Sequence, residues 1–415
     1  MMGVYILIFI YIINMEDDSI ELIHMIMQNV PDKINKSNEC KTKFVNTLFY
    51  IFNYANKIVD EIFPLMGAPT VLAVDKGSNY LRKMQPPIEQ VISKEIVNHI
   101  HENLNYVIVY NISFLDIQEF TIYFYVYDNP SMVALKEYNN RVYVILNIIS
   151  FVFLLLQTKR LDNQSIFFFM TDLKKELPSC NMLLEQYHVN TGYTAPRSGC
   201  SDIVIYRKEE WFKVFIHEYI HNHHLDCSRT NDDFLRLSKK VFCINNDILF
   251  SETIAEVWAL LLNLITISFL FKKKNTFQEL RSVLPGKISK GTSTRIFFYL
   301  LEIEIYFSLI QTKKILSYLR ISYSELFNKP DENKKGYVIH NCNTNICSYY
   351  IIKSIYLYFT IFLFTNLENI MYNNPVNIKN FEQMAKHPQI IHLLNEPIPF
   401  SINQKTLKMC ALEIH

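Results

Sequence analysis

The chain has 415 residues, of which half are hydrophobic, and 41 Lys and Arg stand against 40 Asp and Glu. A net charge of +1 creates no global field for a polyanion, so nucleic acid is excluded as the expected partner. That length and hydrophobic share suffice for a large core in more than one domain.

The eight cysteines, at 40, 180, 200, 227, 243, 342, 347 and 410, show no regular spacing. A chain this long has no need of disulfides, and the pattern reads as reduced thiols in a cytoplasmic protein. Cys342 and Cys347 form a lone pair with no second pair to complete a metal site. Richness in Ile, Asn, Lys, Phe and Tyr, with few Gly and Ala, is what AT-biased coding produces.

Residues 1–13 are apolar but lack a basic start and a small-residue cleavage site, so they make a poor signal peptide. They read as an extension or pro-segment of residues 1–14, with Met15 as an alternative start. Residues 16–66 read as helix ending near Pro64. Two alternating runs, Tyr106-Val-Ile-Val-Tyr110 and 120–127, read as strands before a turn at Asp128-Asn-Pro130. A helix over 142–158 and a strand over 165–170 follow. The uncharged runs 142–158, 257–271 and 354–367 fall short of the ~20 apolar residues of a membrane span. They are expected to be buried core helices rather than spans.

A short β-branched strand over 202–206 then runs into a helix, expected to open at Arg207 with Glu209 and Glu210 in its first turn. On that helix lies His217-Glu218-Tyr219-Ile220-His221, an H-E-x-x-H sequence. Its histidines, at i and i+4, share a helix face and can reach one Zn²⁺, while the glutamate between them is placed to handle a water's proton. With 12 His in 415 residues, the pentapeptide is expected by accident on the order of 0.02 times per chain. Periodicity fades after Asn222, and His223 and His224 read as a solvated helix end.

Catalytic zinc commonly takes three protein ligands and leaves one position open. Between residues 250 and 263, a strongly apolar helical run carries only two charges, Glu252 and Glu256, one turn apart. Burying that pair is costly unless something compensates it. We read Glu252 as the third ligand and Glu256 as the acceptor that orients a zinc histidine through its other ring nitrogen. Glu256 itself, Asp226 and a neighbouring histidine remain competitors for the ligand position. After residue 245 the chain reads helical, over 246–271, 293–320 and 345–367, with loops at 328–336 and 373–377. Lys272-Lys-Lys274 reads as a solvated helix end.

On these residues the chain resembles the gluzincin metallopeptidases, the thermolysin-like and aminopeptidase-like zinc enzymes. Ser251-Glu252-Thr253-Ile254-Ala255-Glu256 is similar to their second motif, with Ser251 in place of Asn and Glu252 standing 31 residues after His221. The metzincin pattern does not fit, because Cys227 stands at its last histidine and His224 at its turn glycine. Asn190-Thr-Gly-Tyr-Thr194, the 202–218 block and Ser348-Tyr-Tyr-Ile-Ile-Lys353 also resemble uncharacterised metallopeptidase-like proteins of large nucleocytoplasmic DNA viruses. The resemblance covers residues 80–370 loosely and is specific over 190–260. It implies a viral protein of the host cytoplasm or virion.

The expected fold is α+β and zincin-like, a mixed sheet with the motif helix followed by a helical subdomain, the cleft between them. Residues 1–100 form a mainly helical N-terminal region, 101–226 the sheet and motif helix, and 227–415 the helical part carrying the third ligand. The expected activity is hydrolysis of peptide or protein substrates, with Zn²⁺ held by His217, His221 and Glu252 and with Glu218 as general base. Tyr349, Tyr350 and His340 are candidates for an oxyanion donor, Tyr349 foremost. Either 190–194 or 202–206 is expected to pair an extended substrate through its backbone.

Overall fold

Alternating aromatic and β-branched residues build one mixed sheet in the computed structural model. Its strands are β1 (Thr70–Ala73), β2 (Tyr106–Phe114), β3 (Gln118–Val126), β4 (Gln164–Phe169), β5 (Gly192–Thr194) and β6 (Ile203–Ile205). The structure describes residues 39–76, 88–115, 118–156, 163–179, 182–194, 202–243, 248–273, 278–328, 344–372, 374–397 and 405–414. Strand order is β1-β2-β3-β4-β6-β5. The β1–β2, β2–β3 and β5–β6 pairs are antiparallel, whereas β3–β4 and β4–β6 are parallel.

Parallel neighbours need a long crossover, and the first is a helix of 25 residues, Met132–Leu156. In chain order the main helices are α1 (Glu39–Ile62), α2 (Lys94–Asn103), α3 (Met132–Leu156), α4 (Trp211–Asn222), α5 (Asn231–Val241), α6 (Phe250–Lys273) and α7 (Ser293–Leu319). A π-helical turn (Cys347–Ile352) then leads into α8 (Lys353–Tyr358), followed by α9 (Thr360–Met371) and α10 (Pro388–Asn395).

The period of two divides the core between the sheet's faces. Phe120, Ile122 and Phe124 of β3, with Ile166 and Phe168 of β4, join a large apolar cluster shared with α1, α3, α4, α6 and α7. Tyr125, Phe167, Phe169 and Val204 face the other way onto Ile96 and Ile100 of α2. The result is α+β, with the helical mass on one face and one short helix on the other. Members of the large cluster run from Phe44 to Ile414.

The last described segment, 405–414, is irregular and buried, with Leu407, Cys410 and Leu412 fully enclosed. Buried backbone outside regular structure must find side-chain partners, and it does. Met409 and Cys410 N–H groups donate to Glu210 Oε1 at 2.8 and 2.7 Å. Those of Ala411 and Leu412 donate to Glu304. Gln311 donates to Lys408 O at 2.7 Å, Asn263 to Leu412 O at 2.8 Å and Trp211 Nε1 to Ile414 O at 2.7 Å.

Several expectations need correction. The motif helix opens at Trp211, not Arg207. Glu210 adopts a left-handed backbone (φ 55), which breaks any earlier helix, and Lys208 N–H is taken by Thr171 O at 2.9 Å. Glu209 and Glu210 are therefore buried acceptors rather than residues of a solvated first turn. The 345–367 run is not one helix: it starts as the π-turn and bends by 105° where α8 meets α9. Helices α3 and α6 are each long and apolar enough to cross a membrane by length and composition, contrary to the reading of shorter runs. In α6, 94% of the most apolar window is buried inside the protein. The expected helix over 16–66 is helical over Glu39–Ile62, and residues 1–38 lie outside the described residues. His340 and Cys342 also lie outside them, while Cys227, Cys243, Cys347 and Cys410 are free thiols.

Candidate metal centre

The motif helix α4 is apolar nearly all round, as a helix buried on every side must be. Trp211, Phe212, Phe215, Ile216, Tyr219 and Ile220 are buried, and Phe168 of β4 packs on Trp211 and Phe215. A helix so enclosed has little freedom to turn, which fixes the direction of His217 and His221.

The helix ends in a Schellman turn. Leu225 N–H bonds to Ile220 O at 3.1 Å and His224 N–H to His221 O at 3.0 Å, with His224 in the left-handed region (φ 55). The reversal brings Asp226 back onto His221, where its Oδ2 lies 2.7 Å from Nδ1. The other oxygen, Oδ1, accepts Ser228 N–H at 3.1 Å. His223 is not a solvated end. It is half-buried, and burial pushes its imidazole down to about 4. His224 is exposed.

Helix α6 packs against α4 and supplies both glutamates. Asn231 fixes its start, accepting Ser251 N–H at 2.9 Å and donating to Ser251 Oγ at 3.0 Å. Glu252 Oε2 lies 3.3 Å from His217 Nε2 and 3.3 Å from His221 Nε2, and the two Nε2 atoms are 3.1 Å apart. Three ligands bound at the usual zinc distances with tetrahedral angles would stand about 3.3 Å from one another. The three atoms thus form a triangle of the size that one zinc ion requires.

The outer contacts favour the same use. His217 Nδ1 lies 3.1 Å from Glu256 Oε1, and His221 Nδ1 lies against Asp226. Carboxylates beside both Nδ1 atoms favour a proton there, an arrangement that would leave both Nε2 atoms free to face a cation in the triangle. Two Nε2 lone pairs facing one another repel, and a metal cation between them, like a shared proton, would relieve that. The donor set, two imidazoles and one carboxylate, suits zinc.

Glu256 is occupied. Lys213 of α4 donates to both its oxygens, and Lys353 of α8 lies 3.3 Å from Oε2. Those three contacts occupy three of the carboxylate's four lone-pair sites, and His217 Nδ1 stands 3.1 Å from Oε1. Glu252, nearer to both Nε2 atoms, is the carboxylate with a position to offer. Asp226 meets the opposite nitrogen of His221 and so acts beside the triangle rather than in it. Sequence reasoning missed Lys213 and Lys353; the available signal was a lysine one turn before His217 inside a helix otherwise apolar.

Electrostatics follow from burial and these partners. Burial works against His217 and His221 carrying a proton, yet Glu252 with Glu256 at the first, and Asp226 with Glu252 at the second, push both imidazoles up. Burial would raise Glu252, but the two histidines hold its carboxyl below the usual range. Lys213 and Lys353 outweigh burial at Glu256 in the same direction. Burial pushes the Glu218 carboxyl up, against the two histidines. It pushes the Tyr349 phenol up as well, assisted by Glu252.

His217, Glu218, His221, Glu252, Glu256 and Tyr349 all line one cavity of about 230 Å³. Tyr349 comes from the π-turn, which Ser348 ties to α6: its Oγ accepts Leu249 N–H at 3.0 Å and its carbonyl accepts Thr253 Oγ1 at 3.1 Å. The Tyr349 ring stands 6.2 Å from that of His217. Tyr350 is turned elsewhere, its hydroxyl donating to Leu407 O at 2.7 Å. Asn190 to Thr194 also border the cavity, and β5 is one of the two edge strands of the sheet among the described residues. Residues 202–206 are not an edge, because β6 lies between β4 and β5. Compared with family models, curated proteins and solved structures, the chain finds no match in any of the three.

Proposed function

We propose that the protein is a zinc-dependent metallopeptidase with a gluzincin-type ligand set of His217, His221 and Glu252, on a zincin-like fold. The observation that carries this reading is the triangle of Nε2, Nε2 and Oε2 atoms, 3.1 to 3.3 Å on a side, with a carboxylate oxygen within 3.1 Å of each opposite ring nitrogen. Bound there, zinc would acidify a water molecule and polarise a scissile carbonyl.

Glu218 follows His217 on the helix and faces the same cavity. From there its carboxylate would take a proton from water and return it to the leaving amine. Tyr349 keeps its phenolic proton well above neutrality and is the candidate donor to the developing oxyanion. Strand β5, bordering the cavity, is the candidate edge for an extended peptide, in which backbone pairing would set the direction of the chain. Peptide or protein is the substrate class this arrangement fits, and the virion or host cytoplasm is the setting the sequence resemblance implies.

The test is zinc content and peptide cleavage of the purified wild type and Glu218→Gln. We expect one zinc per chain in both proteins, with cleavage lost in the variant by roughly 10²- to 10⁴-fold. A wild type that holds no zinc would sink the reading. Zinc without Glu218-dependent proteolysis would leave a binding protein or a hydrolase of non-peptide bonds.

A further inference from the structure

Behind the triangle, Lys213 and Lys353 meet on a single carboxylate. Lys213 stands one turn before His217 on the motif helix, and Lys353 one turn after Tyr349. Each lysine side chain is 1% exposed, and that of Glu256 is 3% exposed. Lys213 holds both Glu256 oxygens, Lys353 holds Oε2, and Oε1 also faces His217 Nδ1. Lys353 is itself aimed by Met409 O at 2.9 Å, and Met409 Sδ lies 3.8 Å from Lys213 Nζ.

Such an arrangement is a poor device for stability alone. Taking two ammonium groups and a carboxylate out of water costs more than their attraction reliably returns, and apolar residues of the same volume often serve as well or better. One lysine would already neutralise Glu256. What the second adds is fixation: the carboxylate is gripped from α4 on one side and from α8 on the other, so Oε1 cannot swing away from His217. The same grip uses the lone pairs through which Glu256 could otherwise enter the metal's ligand set in place of Glu252. The π-turn contributes by delivering Tyr349 to the cavity and Lys353 to Glu256 from one continuous element.

We propose that Lys213 and Lys353 are positioning residues of the metal centre, clamping Glu256 so that it orients His217 and stays out of the ligand set. The proposal rests on the zinc reading given above. It makes the two lysines determinants of metal affinity and coordination although neither touches the metal.

The experiment uses the full chain, with Zn²⁺ and Co²⁺ as probes. Lys353→Met and Lys353→Arg are compared with wild type for zinc affinity by chelator competition, for the visible spectrum of the Co²⁺ form, and for melting of the metal-free protein. We expect Lys353→Met to lose about 10- to 100-fold in zinc affinity with an altered Co²⁺ spectrum. Lys353→Arg, which keeps the charge and the donor, should recover most of both. Should Lys353→Met fail to melt cooperatively, Lys353→Gln carries the same comparison with less disturbance of packing. A folded Lys353→Met or Lys353→Gln protein with wild-type affinity and spectrum overturns the clamp. Equal loss in Lys353→Arg also overturns it, by assigning the effect to packing. A wild type that binds neither ion removes the zinc reading itself, before any variant is compared.

Discussion

At the scale of single residues, Asp226 does for His221 what Glu256 does for His217, though from a different source. Glu256 arrives from another helix, whereas Asp226 is returned by the turn that ends the motif helix itself. Both of its oxygens are committed, one to His221 Nδ1 and one to Ser228 N–H, so it orients the ring instead of binding beside it. Asp226→Asn should therefore weaken zinc binding by about 10- to 100-fold while leaving one zinc per chain at saturation. Chelator competition and metal analysis measure the two quantities separately, and unchanged affinity would remove Asp226 from the centre. The grouping of these side chains was legible in the sequence, because His217, Glu218 and His221 lie within five residues and Glu252 and Glu256 stand one turn apart in an apolar run. The division of labour between the glutamates was not. It depends on Lys213, which only its apolar helix surroundings hinted at, and on Lys353, whose approach to Glu256 from another helix no local pattern announces.

At the scale of elements, the close approach of β5 to the motif helix depends on Gly192. A Cβ placed there would lie 2.6 Å from Ile205 Cδ1, 2.8 Å from Val204 O and 3.1 Å from Val214 Cγ1. The side chains could shift, but the Val204 carbonyl belongs to β6 and cannot. Gly192→Ala should thus push β5 outward, lowering stability by about 1–3 kcal/mol and reducing peptide cleavage more than zinc affinity. A variant with wild-type melting and turnover would show that the cavity wall tolerates the shift. Strands β2 and β3 could be read from alternation, with Asn111, Ser113 and Glu119 exposed between buried residues, and β4 and β6 from short, nearly continuous apolar runs. Helix starts were harder to read. Acidic Glu209 and Glu210 resemble a first helical turn, yet Glu210 is held in a left-handed backbone by contacts from residues 409, 410 and 413, some 200 positions away. The π-turn was equally hidden, because its register is set by Thr312 Oγ1 donating to Tyr350 O at 2.8 Å and by Ser348 contacts with α6.

At the scale of the whole molecule, the segment 405–414 connects the start of the motif helix with α6, α7 and α8, and two buried carboxylates hold its backbone. They titrate in opposite senses. At Glu210 burial would raise the carboxyl, but Lys175 and Lys213 outweigh it and hold it at about 2. At Glu304 burial prevails over the Ala411 and Leu412 N–H groups and pushes it up to about 7. A depressed folded value means that Glu210 contributes stability above the unfolded carboxyl range near 4.5, lost as pH falls toward 2. A raised folded value means that Glu304 contributes fully below 4.5 and that its share is lost as pH rises to 7. Each limb corresponds to roughly 3 kcal/mol if the shifts are fully expressed in stability. Urea midpoints measured from pH 2 to 8 should then show Glu210→Gln flattening the acid limb and Glu304→Gln flattening the decline between pH 4.5 and 7. The two variants must flatten different limbs. If both changed the same one, or if either lowered stability by a constant amount at every pH, these carboxylates would not be what couples the segment to pH.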